Sequence, residues 1–229
     1  MKQPLEATRQ VAVILDYLKD IAANNDRTWF WANRERYDNV MSIFQSIVAQ
    51  LILRIGDFDP SVRHLQVKDC TYRFFRDVRF SQDKSPYKRH LGAYVCAKGK
   101  KSLHGGYYLH FEPGNCMFAG GCYMLTTPML NVLRQKIVGQ SAAFSAIVDH
   151  PEFKELYPVL TDDPLKVMPR GLPRDFFRPE WLKCRNYLVC SSLDDEFFQQ
   201  TRWMDEIARR ARLIFPFNEF LNEVVDDYI

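Results

Sequence analysis

Residues 70–89 read CTYRFFRDVRFSQDKSPYKR, placing Arg73, Arg76, Arg79, Asp77, Asp83, Lys84, Lys88, Tyr72 and Tyr87 among Phe74, Phe75 and Phe80. The three phenylalanines are expected in a core, so the charges between them are held against the protein wall. The planar fork of arginine suits a carboxylate or phosphate, and Asp77 could fix one guanidinium in place. Lys84 adds a point charge, and Ser85-Pro86 sets a turn. On a straight strand Arg73, Phe75, Asp77 and Arg79 share one face and Tyr72, Phe74 and Arg76 the other. A bulge or strand end near Arg76-Asp77 is therefore expected, to let the arginines converge.

A second group lies in GGYYLHFEPGNCMFAGG, residues 105–121. Alternation puts Tyr108, His110 and Glu112 on one strand face, where His and Glu at i and i+2 could do acid–base work. The same pair could be half of a metal site completed by Asp77 or Asp83, or an ordinary hydrogen-bonded pair. No metal set and no cofactor is assigned. A third group is the corner NNDRTWFWANRERY, which crowds Trp29, Phe30 and Trp31 beside Arg27 and Asn33. It is either an aromatic helix start or a second wall of the site. The catalytic candidates are thus Asp77, His110 and Glu112. The ligand-binding candidates are Arg73, Arg76, Arg79, Asp83, Lys84, Tyr87, Tyr108, Arg27 and Asn33.

The elements that must position these residues follow from periodicity. Residues 8–23 have the stripe of an amphipathic helix, and a longer one runs over 28–55, so the two should pack as a hairpin. Asp59-Pro60 starts a short helix. Residues 70–76, 91–97, 106–112 and 116–123 read as strands, the last three as an antiparallel meander. Gly120-Gly121 marks a bulge or a close backbone approach. Helices begin at Thr127-Pro128, Ser141 and Pro151. A long surface loop over 158–180 leads to a strand at 187–190. Asp194 or Asp195 then caps a C-terminal helix that Pro216 kinks. The fold class is α+β: a mainly antiparallel sheet of four to five strands, flanked by an N-terminal helical hairpin and C-terminal helices. One domain over 1–229 is expected, with the hairpin at 8–55, the sheet core at 69–124 and a helical part at 127–229.

The 229 residues are 47% hydrophobic, with 10 Gly and 12 Pro, an ordinary globular composition rather than a disordered one. A net charge of +3 is small for a dedicated nucleic-acid binder. Nine Lys and Arg face two Asp between Tyr72 and Lys101, so the positive field is local and fits an anionic ligand. The six cysteines form no C-x-x-C and match no zinc spacing. With a polar start, MKQPLEATRQ, and apolar runs broken by Gln50 and Arg54, they suggest a cytoplasmic protein without a leader or membrane span. The chain has no P-loop, dinucleotide fingerprint, H-E-x-x-H or G-x-S-x-G.

Arg73-x-x-Arg76-Asp77-x-Arg79-Phe80 followed by Asp83-Lys84-x-x-Tyr87 resembles the signature of a bacterial family, domain of unknown function 2461. Asn24-Asn25-x-Arg27-x-Trp29-Phe30-x-x-Asn33 and Gly106-Tyr107-Tyr108-Leu109-His110-x-Glu112-Pro113-Gly114 are similar to it as well. The resemblance spans nearly the full chain and implies a single full-length domain in which the three stretches belong together. It implies no activity. Three readings stay open: an enzyme acting on an anionic or phosphorylated small molecule; a module that binds a phosphate or a nucleic-acid backbone; and a structural Arg/Asp/Tyr network. The oligomeric state is beyond the sequence.

Overall fold

The computed structural model of the chain describes residues 4–161 and 163–228, with side chains from residue 9 onward. The expectation of no leader rests partly on residues 1–3, which lie outside the described residues. Helices α1 (Pro4–Ala23), α2 (Arg27–Ala32) and α3 (Arg34–Gly56) are followed by a 3-10 turn at Pro60–Val62 and the short α4 (Val67–Cys70). Strands β1 (Leu91–Val95), β2 (Gly106–Phe111) and β3 (Cys116–Cys122) come next. Then come α5 (Thr127–Gly139), α6 (Ser141–Val148), α7 (Pro151–Leu156), α8 (Pro179–Leu182), β4 (Tyr187–Leu193) and α9 (Trp203–Asp226). The strands form one open antiparallel sheet in the order β1-β2-β3-β4, so the class is α+β.

The chain divides into two compact units, each built from discontinuous segments. The first holds residues 1–95, 108–118 and 192–208. Here α1 packs on α2 and α3 through an aromatic cluster. Phe30 stacks on Tyr87 with ring centroids 4.3 Å apart, Tyr37 lies 5.0 Å from Phe30, and Tyr17 reaches Tyr37 and Phe74. The long helix expected over 28–55 is broken at Asn33. Its side-chain amide donates to the Trp29 carbonyl at 3.0 Å, so the side chain competes with the helix for its own acceptor. The Asp26 carboxylate caps α2 by accepting from the Trp29 N–H. By length and composition α3 could cross a membrane, despite Gln50 and Arg54. In this fold its stripe Val40, Phe44, Ile47, Val48, Leu51 and Ile55 is buried, with Phe44 edge-on to Phe111.

The strand expected over 70–76 is not formed. Cys70 ends α4, and only isolated bridges follow, Thr71 to Ala93 and Phe75 to Tyr87. The Gln66–Asp69 capping box winds this stretch into a helical turn, and the chain then leaves in extended form. Of the three phenylalanines expected inside, Phe74 alone is buried; Phe75 is exposed, and Phe80 is 96% exposed.

The second unit holds residues 96–107, 119–191 and 209–229. The loop before β2 is tied to α9: Gly105 N–H donates to Asn222, Asn218 donates to the Gly106 carbonyl, and His104 Nε2 lies 2.8 Å from Asp226. The pair Gly120-Gly121 marks a close approach, as its sequence suggests. A Cβ on Gly120 would collide with Ile214, and one on Gly121, whose φ is +110°, with the Tyr187 carbonyl oxygen. The long loop is anchored where Leu165 N–H donates to the Lys183 carbonyl and Leu188 N–H to that of Leu160. Asp194 caps a 3-10 turn at Phe197–Gln199 rather than α9, which starts at Trp203 and continues through Pro216 to Asp226.

Candidate functional site

Within the first unit, β1 and β2 bury Leu91, Ala93, Val95, Leu109 and Phe111 on one face. Period-two alternation therefore sends His90, Gly92, Tyr108, His110 and Glu112 to the other. The antiparallel register sets the His90 ring 4.7 Å from that of His110 and Gly92 against Tyr108. A Cβ on Gly92 would lie 2.5 Å from Tyr108 Oη, so the glycine makes the space in which that hydroxyl rests. Tyr108 Oη is 2.8 Å from His110 Nδ1, and His110 Nε2 is 3.2 Å from Glu112 Oε2. Asn115 donates to the same carboxylate oxygen at 2.8 Å.

Protonation states follow from the surroundings. Burial, with Tyr72 and Glu112 nearby, pushes the Tyr108 phenol up to about 12, so the hydroxyl keeps its proton and donates it to Nδ1. Burial raises Glu112, but bonds from Asn115 and His110 outweigh it and hold the carboxyl below its usual value. The ionised carboxylate accepts from Nε2–H, and that fixes the His110 tautomer. Burial, His110 and Lys88 hold His90 below the ordinary imidazole value, and it stays neutral near pH 7.

Lys88 enters the same neighbourhood because its N–H donates to the Phe74 carbonyl, which draws residues 86–88 alongside 74–76. Its ammonium lies 5.5 Å over the Tyr72 ring. Burial and the nearby Arg73 hold Lys88 below the usual lysine value. Among the described residues, neither Lys88 nor Arg73 has a carboxylate in salt-bridge contact. Arg73 is near enough to Asp77 to lower its pKa, but the hydrogen-bond partner of Asp77 is Arg79.

The other charged candidates build the loop over residues 77–85. Arg79 closes a two-point fork on Asp77, at 3.0 and 2.7 Å. Arg76 Nη1 donates to Asp83 at 2.5 Å and to the Ser85 carbonyl at 3.1 Å, and Nη2 donates to Ser81 at 3.3 Å. Lys84 donates to the Val78 carbonyl. Asp83 is held well below the carboxylate range by the Ser85 hydroxyl and N–H and then by Arg76. The bridge at Phe75 is the last pairing before Arg76-Asp77, and Arg76 and Arg79 each point to a separate aspartate instead of converging. Tyr87 is a buried core ring. Asn33 receives Arg36 on its side-chain oxygen and caps α2, while Arg27 opens α2 within electrostatic reach of Tyr87.

The three stretches do come together. Asn25 brackets the Tyr87 backbone, donating to its carbonyl and accepting its N–H, both at 3.0 Å. This joins the corner to the arginine segment, and His90 carries that segment to His110. Sequence reasoning missed Tyr72, Lys88, His90, Gly92 and Asn115 as members of one set. No local signal showed this: ten residues, 96–105, separate β1 from β2, so the register that sets 90 beside 110 and 92 beside 108 comes from the fold.

Among the described residues no cluster of three or more His, Cys, Asp or Glu side chains could hold a metal ion. No curated protein and no solved structure matches the chain. A family model described as a conserved hypothetical protein, DUF2461, matches residues 13–220, and the chain belongs to that family.

Proposed function

We propose that the protein binds a small anion, a carboxylate or a phosphate monoester, on the β1–β2 face at Lys88 and Arg73. The observation that carries this reading is a pair of neighbouring cations, one of them half-buried, with no acid in salt-bridge contact with either among the described residues. Placing like charges together without neutralisation costs stability, and an anionic ligand removes that cost. Neutral His90 and the amphipathic Tyr72 ring add donors and a wall. Glu112 does not compete for the cations, because His110 and Asn115 already occupy it. Arg76 and Arg79 shape the adjoining loop, and their paired forks support a structural role for that part of the arginine set.

Thermal unfolding with inorganic phosphate and with pyruvate tests the proposal. A ligand at a hundred times its dissociation constant stabilises by about 2.7 kcal/mol, and a chain of this size shifts by about 2–4 °C per kcal/mol. The expected outcome is an upward shift of several degrees in the wild type that disappears in Lys88→Met. No shift with either anion, or an equal shift in Lys88→Met, overturns it.

A further inference from the structure

Resting on the anion-binding reading, we propose that the same face is catalytic. Tyr108 Oη is the proton-accepting atom, and the substrate is a small anion bearing a C–H bond next to a carbonyl. The hydrogen-bond directions lead to this assignment. Because the Tyr108 proton is committed to His110 Nδ1, the remaining lone pairs on Oη are free to accept. A hydroxyl that passes its own proton back along a relay while taking another is a general base, not a resting acid.

The step balances without any further reactant. The C–H proton moves to Tyr108 Oη as the phenolic proton moves to His110 Nδ1. The electron pair of the broken C–H bond passes into the carbonyl, whose oxygen becomes the enolate oxygen. His110 becomes an imidazolium held between Tyr108 and the Glu112 carboxylate, so no free tyrosinate forms. The enolate charge develops beside Lys88 and Arg73, cations already in place before the reaction. Return of the proton to carbon, on the same or another atom, restores the resting relay, so the reaction class is proton exchange, isomerisation or epimerisation.

Three features of the site fit this chemistry and have no role in binding alone. Gly92 leaves the space that Tyr108 Oη occupies, where any side chain would displace it. His110 is buried with both ring nitrogens engaged, which fixes the direction of the relay. Tyr72 lies under the Lys88 ammonium and within electrostatic reach of Tyr108, so the cation and the base belong to one neighbourhood.

The test is wash-in of deuterium from D2O into pyruvate and dihydroxyacetone phosphate, followed by proton NMR. Binding of each probe is measured separately by thermal shift. We expect wild-type protein to exchange at least one probe above the buffer rate. Tyr108→Phe should reduce that exchange by about 10²-fold or more, the usual size of a general-base contribution, while the thermal shift remains. His110→Gln should retain a slow exchange that climbs with pH toward the range in which Tyr108 ionises unaided. A purely structural His110 would leave the pH profile unchanged in shape. Wild-type protein that binds both probes and exchanges neither overturns the catalytic inference and leaves the binding reading intact. So does Tyr108→Phe exchanging at the wild-type rate. Failure of both probes to bind overturns the anion reading itself.

Discussion

Arg76 and Lys88 lie in the same short basic segment but meet opposite surroundings. Arg76 is surrounded by acceptors, Asp83, Ser81 and the Ser85 carbonyl, and its side chain is 26% exposed. Asp83 is 50% exposed, so removing its partner strands no buried charge. Arg76→Ala should therefore cost about 1–2 kcal/mol, the worth of one or two lost hydrogen bonds, in place of the 3–5 kcal/mol of a broken buried pair. Chemical denaturation reads that difference, and phosphate binding should survive the change. Among the described residues Lys88 has no carboxylate in salt-bridge contact, and its pH behaviour follows from the sign of its shift. The folded state releases the Lys88 proton at lower pH than the unfolded chain does. Stability therefore rises with pH between the two values, by the linkage between proton uptake and folding. Anion affinity moves the opposite way. It should fall as the pH rises through the lowered Lys88 value, before an ordinary lysine at 10.5 would titrate. Arg73, Tyr72 and His90 are the charged or titratable groups nearest to it. Of these, His90, whose value is lowered, is already neutral in that range. A phosphate affinity that stays constant up to the ordinary lysine range would contradict the role given to Lys88.

At the scale of elements, two glycines carry requirements that a mutation can measure. In Gly92→Ala the new methyl group meets Tyr108 Oη and the edge of its ring. The ring must rotate, so the bond to His110 should break at a cost of about 1–3 kcal/mol, as in other overpacked sites. Nitrogen-15 NMR of His110 should then show tautomer averaging, where the wild type is locked with its proton on Nε2. Gly121→Ala combines a left-handed backbone with a collision against the Tyr187 carbonyl, which cannot yield as a side-chain end can. It should cost more than Gly92→Ala does, at or above about 3 kcal/mol, with urea denaturation as the measure. The close approach at Gly120-Gly121 was legible in the sequence, as were β1 to β3, because alternation and turn residues report directly on a meander; the space at Gly92 was not. The expected helix over 28–55 and strand over 70–76 were not, because side chains there override periodicity. Asn33 takes a helix carbonyl for itself, and Gln66 with Asp69 winds Val67–Cys70 into a turn. Phe75 and Phe80 read as core by residue type, but Phe75 only edges the cluster at Phe30 and Tyr87, and Phe80 sits on the loop that the Arg76 and Arg79 ion pairs shape.

Over the whole molecule, the sequence named residues 70–89 and 105–121 as candidates; the fold sets His90 beside His110, with Lys88 in electrostatic reach, while Arg76 and Arg79 pair with aspartates of their own loop. The local surplus of basic residues was visible, since counting charge needs no structure. Which cations are neutralised was not visible, because Asp77 and Asp83 are spaced from both Arg76 and Arg79 in ways that allow several pairings. His90 and Lys88 join His110 only through the antiparallel register of β1 and β2, a relation between residues about twenty apart. The resemblance implied that its three stretches belong together, and the Asn25 bracket on Tyr87 with the His90–His110 ring contact joins them in the fold.

The central claim is that the anion binds at Lys88 and Arg73 and not at the arginine forks of the loop. Titration of the nitrogen-15-labelled full chain with inorganic phosphate, followed by amide chemical shifts, tests it most directly. The account predicts saturable shifts at Tyr72, Arg73, Lys88, His90 and residues 108–112, with Val78 to Ser85 little changed. Shifts confined to Arg76, Arg79 and the loop between them, or no saturable shift at all, would contradict it.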